Sequence, residues 1–585
     1  MPHSAVASRL GFVGALLLVA TLGCAAELAT FARSDTAFLL HAAGQVLDGA
    51  RLYEDVVEIN PPLIVALNLP AVLLARAAGI SDILVFRLLY SLGLLGSLAF
   101  SIWSLRLAFG PETRGLRSLC LLIAVALFLM PGNDFGQREH LLVALVLPYI
   151  LLVVARVEGR PAPAVPALAA GVLAGIGLAL KPHFLLVWVI LEAYAAWRRH
   201  ARRPSMEALG TAAWLALYAA GVVLLTPAFF RVALLLGPAY NRFGHYSFFT
   251  VLWTATGATL CFVAALAGVA LYRQARHQAL WLVVLIGLAA SYVAGAAQLK
   301  SWTYHFLPAR TLALILLGLA VIDSRRPFTL AVQRLYGAVA FGVLGTSVLW
   351  AFAAGLLRVA QRDPVRTSER QQLDRLVEAV RRHAPPRGSL YVFSYTIGSS
   401  FPLVNYSDLR WASRFPHLWI IEAVYHDQLH ADAPMSFHEK AEMGPAERYL
   451  NDAVFEDLAR YRPDVLLVLR HARDVPENAL RRIDYLGYFG RDPRIAVELG
   501  HYRLAEDVGQ YRLYVRAGTP DQPGSPPKSA PGEYDVRRSR VTGGRAVASD
   551  TGLLLHLLTF LVLGTLAYGT DRRRGHAKKA VGENS

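Results

Sequence analysis

The chain has 585 residues, 55% of them hydrophobic, and a formal net charge of +16, with a mean hydropathy of +0.40. That balance excludes a soluble globular protein, because many apolar runs reach the roughly 20 residues a helix needs to cross a hydrocarbon core. The positive charge does not speak for nucleic acid: clusters such as Arg198-Arg199-His200-Ala201-Arg202-Arg203 and Arg572-Arg573-Arg574 flank apolar segments, which fixes topology and makes no basic groove.

Residues 9–27 are apolar and follow a short N-terminus containing Arg9. An uncleaved first helix running outward is preferred to a cleaved signal peptide. Thr21-Leu22-Gly23-Cys24 looks like a lipoprotein cleavage site with its leucine one place off. Cys24, Cys120 and Cys261 all lie in apolar segments, so no disulfide framework is expected. Next comes a loop, Ser34 to Pro62, dense in acid: Asp35, Asp48, Glu54, Asp55 and Glu58 precede Asn60-Pro61-Pro62. Carboxylates beside a bilayer are costly unless they stay in water, pair, or do chemistry. Residues 36–47 read as a short amphipathic helix. Residues 61–79 look like a span, yet the basic links farther on require 82–106 to run inward. They are therefore expected to lie along the outer interface as a juxtamembrane helix interrupted at Pro70.

Candidate spans follow at 82–106, 115–131, 139–156, 164–180, 183–198, 208–227, 250–272, 279–297, 306–322 and 329–356. The links Arg106–Arg117, Arg156–Arg160, Arg198–Arg203, Arg273–His277 and Ser324–Arg326 are basic and are placed in the cytoplasm. From about 357 to 518 the chain turns polar, with strand-like runs at Leu390–Phe393 and Val465–Leu469 and a helix-like Arg370–His383. This reads as a small extracytoplasmic α/β domain. A Pro/Gly/Ser-rich linker (519–548) leads to a last crossing at 551–569 and a basic tail. The whole is an all-α polytopic membrane protein of about twelve transmembrane helices. Its expected units are 1–356, containing the outer loop 28–80, then 357–518, 519–548 and 549–585.

Unusual residues collect in the outer links: Gly132-Asn133-Asp134-Phe135-Gly136-Gln137-Arg138-Glu139-His140, Lys181-Pro182-His183, Phe229–Thr250, and Gln298-Leu299-Lys300-Ser301-Trp302-Thr303-Tyr304-His305. Together they point to one polar cavity at the outer surface. Transfer of a sugar from a lipid phosphate needs a base or a positioning carboxylate for the acceptor hydroxyl. It also needs cations for the charge growing on the leaving phosphate. Asp35, Glu58, Asp134 and Glu139 offer the first, and Lys181, Lys300 and His305 the second. Glu139 is favoured over Asp134 because it opens a helix, where the dipole stabilises an anion. Arg138 reads as the partner of Glu139. Trp302 and Tyr304 suit an aromatic belt or a sugar platform. A divalent cation on Asp35, Glu58 and Glu139 is chemically suitable, but nothing in the spacing demands one.

In this order and spacing the chain resembles the GT-C glycosyltransferases, the group containing aminoarabinose lipid A transferases, protein O-mannosyltransferases and rhizobial lipopolysaccharide transferases. Those proteins carry a catalytic aspartate soon after the first helix, juxtamembrane helices, and a first outer loop that often closes with Glu-Lys-Pro-Pro. Here the closing reads Glu58-Ile59-Asn60-Pro61-Pro62, with Asn60 for the lysine and the glutamate one place early. The resemblance covers roughly residues 1–350. It implies catalytic roles for Asp35 and Glu139, and substrate-binding roles for Glu58, Asp134, Lys181, Lys300, Tyr304 and His305. It further implies a polyprenyl-phosphate sugar donor, an envelope lipid, glycan or protein acceptor, and an active site on the outer side of a bacterial inner membrane. The competing readings are a transporter or flippase of lipid-linked glycans, which would keep ionisable residues near the midplane, and a non-enzymatic assembly protein.

Overall fold

The computed structural model describes residues 2–517 apart from 112, 114, 201–202, 324–330, 430, 432–434 and 471–482. The expected link at Ser324–Arg326, the linker, the last crossing and the basic tail lie outside the described residues.

Sixteen helices lead the chain: α1 (Pro2–Leu28), α2 (Ser34–Leu47), α3 (Leu63–Ala78), α4 (Asp82–Phe109), α5 (Leu116–Phe128), α6 (Arg138–Val157), α7 (Ala164–Leu180), α8 (Leu185–Arg199), α9 (Met206–Leu225), α10 (Ala228–Arg242), α11 (Phe248–Thr254), α12 (Ala258–Leu271), α13 (Gln278–Ala296), α14 (Leu307–Ile322), α15 (Ala331–Val359) and α16 (Pro364–His383). Seven helices among the described residues are long and apolar enough to cross a membrane, or eight if the bent pair α11–α12 is one span. Leu63–Ala78, Leu116–Phe128 and Ala164–Leu180 are apolar but shorter. The chain is thus a multi-pass helical membrane protein, and the described residues do not reach the expected count of about twelve by length and composition.

Three details differ from expectation. α3 runs unbroken through Pro70; a single lost backbone bond is tolerated when the rest of the ladder is intact. It is 16 residues long, about 24 Å at 1.5 Å per residue, short of the roughly 30 Å hydrocarbon core. It ends at Gly79, whose φ of 66° is the left-handed conformation glycine adopts freely. Residues 228–242, expected within an outer link, form α10, which buries Val232 and Leu236. The span expected at 250–272 is broken between α11 and α12 by a 78° bend. Gly257 sits in that break at φ +83°, and a Cβ there would meet the Arg310 side chain at 2.7 Å.

Close packing of α7 on α9 depends on small residues. A Cβ on Gly171 would meet the Glu207 carbonyl oxygen at 2.1 Å, and one on Gly210 the Leu168 carbonyl oxygen at 2.8 Å. Such backbone approach is how helices associate in lipid, where there is no hydrophobic drive between them. At the end of the bundle remote from Glu139, Arg156 of α6 pairs with Glu192 of α8 at 2.9 Å and with Glu207 of α9 at 3.3 Å.

After α16 comes a five-stranded mixed sheet, β1 (Ser389–Phe393), β2 (Arg410–Trp411), β3 (Val465–Leu469), β4 (Tyr502–Val508) and β5 (Tyr511–Arg516), ordered β2-β1-β3-β5-β4. β1 lies parallel to β2 and β3, while β5 runs antiparallel to β3 and β4. β1 and β3 are buried along their whole length, which accounts for their unalternated apolar runs. This α/β unit packs on the segment 31–57. The Asn405 amide donates to the Ala37 carbonyl of α2 at 3.1 Å, the Ala32 N–H donates to the Tyr406 hydroxyl at 3.2 Å, and the Phe401 ring meets Phe38 at 5.3 Å. The Val57 N–H donates to the Arg414 carbonyl at 2.8 Å.

Candidate active site

Two helix N-termini meet at one end of the bundle. Asp35 stands in the first turn of α2 and accepts a 3.0 Å hydrogen bond from Gln137, the N-cap residue of α6. Both positions favour negative charge, because unsatisfied N–H groups and the helix dipole are concentrated there. Asp35 is half-buried, whereas Glu139, in the first turn of α6, is fully buried. The Lys181 ammonium lies 3.1 Å from Glu139 Oε1. It follows α7 directly and also reaches the Gln298 side-chain oxygen at 3.4 Å. Burial pushes the Lys181 ammonium below its usual range, and Glu139 pulls it back up. The Asp35 carboxylate is near enough to act on Lys181 and on Tyr240.

His305 Nε2 is 3.7 Å from the same Glu139 oxygen, and its ring stands against Trp302 and Tyr304. Lys181 lies 6.0 Å from the Tyr304 ring centre. Glu58 is buried and accepts the Asn60 N–H at 2.8 Å, together with the Asn60 side-chain amide. Asp134 is buried and engaged as an acceptor, from the Thr303 hydroxyl at 2.7 Å and from Arg310 at 3.5 Å. It ties segment 132–140 to segment 298–305.

Two cations behave differently from the sequence reading. Arg138 does not pair with Glu139; Lys181 does. The Arg138 guanidinium is buried among Glu58, Glu139, Tyr240 and Tyr304, and its Nε and Nη1 find no hydrogen-bond partner among the described residues. Such an arrangement suits an anion supplied from outside. Lys300 is already occupied: its ammonium donates to the Tyr240 carbonyl at 2.9 Å and to the Phe243 carbonyl. It also faces the rings of Tyr240, Trp302 and Phe243 at 4.2, 4.9 and 5.3 Å. Among the described residues no group of three or more His, Cys, Asp or Glu stands together to hold a metal ion. The cation considered on Asp35, Glu58 and Glu139 therefore has no assembled ligand set there.

No protein-family model matches the chain, and no curated protein matches it. Solved structures do. ArnT from Cupriavidus metallidurans bound to undecaprenyl phosphate is 13% identical, with 88% of this chain and 99% of that chain covered at a TM-score of 0.52. The apo state of the same protein gives 14% identity, coverage of 87% and 98%, and a TM-score of 0.48. The arabinofuranosyltransferase AftD from mycobacteria gives 16% identity, covers 88% of this chain and 40% of that one, and has a TM-score of 0.40. The first of these fixes the fold: the chain has the GT-C architecture of ArnT along nearly its whole described length.

Proposed function

We propose that the protein is a glycosyltransferase that moves a sugar from a polyprenyl phosphate to an acceptor hydroxyl at the outer side of the membrane. One observation carries this reading: a half-buried carboxylate, Asp35, shares one end of the bundle with a buried guanidinium, Arg138, whose Nε and Nη1 have no hydrogen-bond partner among the described residues. The undecaprenyl phosphate bound by ArnT supports the donor class. The apolar middles of α6, α13 and α14 support transfer over transport. Residues 141–155 of α6, 279–296 of α13 and 311–322 of α14 contain no charged side chain, unlike a midplane ion path.

In this mechanism Asp35 accepts the proton of the acceptor hydroxyl, and that oxygen attacks the anomeric carbon from the face opposite the phosphate. The bond from the anomeric carbon to the phosphate oxygen breaks, and its electron pair leaves with the lipid phosphate. Arg138 and Lys181 offset the charge that grows there. Glu139 holds Lys181 in place, and a sugar ring packs on Tyr304. The acceptor is an envelope lipid, glycan or protein.

The test is incubation of membranes with a panel of radiolabelled undecaprenyl-phosphate sugars, followed by identification of the labelled product. Wild-type protein should transfer label, and Asp35→Asn should lose at least 100-fold, the scale of a general base, while inserting normally. Undiminished transfer by Asp35→Asn, or no transfer from any donor by the wild type, overturns the reading.

A further inference from the structure

Segment 240–246 is gripped from two sides. On one side is Lys300, which hydrogen-bonds the carbonyls of Tyr240 and Phe243 within their rings. On the other is the α/β unit: Glu422, 6% exposed, accepts the Gly244 N–H at 3.1 Å and is met by His426 Nδ1 at 3.1 Å. Trp419 reinforces that side, 5.5 Å from the Tyr240 ring and 5.8 Å from Phe243. Gly244 has φ +59°, and the ring of its neighbour Phe243 meets Trp302 edge-on at 5.8 Å. Trp302 in turn edges His305 at 5.3 Å, and His305 stands 3.7 Å from Glu139. A continuous line of contacts therefore runs from a carboxylate of the α/β unit to the buried carboxylate beside Lys181.

We infer that Glu422 and Lys300 are positioning residues for the transfer reaction, and that the α/β unit sets the aromatic rim of the active site through segment 240–246. This rests on the glycosyl-transfer reading given above. Neither residue contacts substrate. Glu422 fixes a backbone amide at a left-handed glycine, a conformation glycine reaches freely and other residues seldom adopt. Lys300 fixes two carbonyls at the C-terminal end of α10, where helix carbonyls lack intrahelical partners. Freeing either side lets Phe243 move off Trp302, and the rim then loses the geometry that orients a bound sugar.

The experiment compares full-length wild type, Glu422→Ala, Glu422→Gln and Lys300→Met in lipid nanodiscs. Hydrogen exchange of the peptide covering 240–246 is one readout. Transfer kinetics from an undecaprenyl-phosphate sugar is the other. Glu422→Ala should raise exchange across 240–246 at least tenfold and lower kcat about tenfold, with KM for the donor within twofold. Glu422→Gln keeps an acceptor oxygen for Gly244 and should return both readouts to within threefold of wild type. Should Glu422→Ala fail to elute as a single species, Lys300→Met supplies the same two readouts from the other side. Unchanged exchange at 240–246 in folded Glu422→Ala or Lys300→Met overturns the positioning role. Raised exchange with unaltered kcat also overturns it. Wild type that transfers nothing, with 240–246 protected, sinks the transferase reading and with it the catalytic consequence, while the grip itself stands.

Discussion

Glu139 and Lys181 form an ion pair with both side chains almost out of reach of water. Removing one partner of such a pair is more damaging than removing both, because a charge is left without compensation. Lys181→Met should cost about 3 kcal/mol of stability and at least 100-fold in transfer, whereas Lys181→Arg should keep the fold; thermal unfolding in detergent separates these outcomes. Arg138 is the complementary case. Arg138→Gln should weaken undecaprenyl phosphate binding by ten- to a hundredfold, on the scale of about 1.5–3 kcal/mol for a charge-assisted hydrogen bond, with little loss of stability; equal binding by titration calorimetry would contradict it. For Lys300, burial pushes the ammonium down to about 7, with Glu422 pulling it up and Lys181 pushing it further down. Unfolded, it titrates near about 10.4. Between those values the unfolded chain holds a proton the folded chain lacks, so this group's contribution to stability increases from pH 7 to about 10 and is flat below 7. The melting temperature of wild type should accordingly gain on that of Lys300→Met across pH 7 to 9.5. Charged residues at the ends of apolar segments single out Glu139, Lys181 and His305 in the sequence, and the fold brings the three side chains together. Arg138 departs from the sequence expectation because neighbours in sequence need not be neighbours in space; consecutive helical residues point about 100° apart. The cage around Lys300 is built by backbone oxygens about 60 residues earlier in the chain, which no local pattern announces.

At the scale of elements, α7 and α9 can approach only because Gly171 and Gly210 lack side chains. Gly171→Ala should destabilise by about 1–3 kcal/mol and Gly171→Leu by more, since each drives a Cβ into the Glu207 carbonyl; a melting temperature unchanged in Gly171→Leu would refute the close contact. Most helices were legible from their apolar runs, and β1 and β3 from theirs. The break between α11 and α12 was not, because Ala255–Gly257 interrupts an otherwise apolar sequence without a proline or a charge. α10 was hidden for another reason. It is short and buries a narrow face, Val232 and Leu236, against loop and α/β unit rather than lipid.

Across the whole molecule, the ionic groups divide between two ends. Arg156 lies 18 positions after Arg138 on α6, about 27 Å away at 1.5 Å per residue. Arg156→Ala strands Glu192 and Glu207 at the far end, so it should lower stability by about 3 kcal/mol yet leave kcat per folded molecule within twofold; a large fall in kcat would mean that the two ends are coupled. The division into a membrane bundle and a polar α/β unit was readable from composition. That the polar unit closes over α2 was not, for such contacts depend on shape across nearly the whole chain. They also set a timetable. Asn405 meets Ala37 across 368 residues, which a ribosome takes roughly 20–70 s to add at about 5–20 residues per second. Throughout that interval the helix bearing Asp35 is already made but lacks its cover. On the proposed transfer reading, a nascent chain halted before residue 405 should therefore enter the bilayer and transfer no sugar.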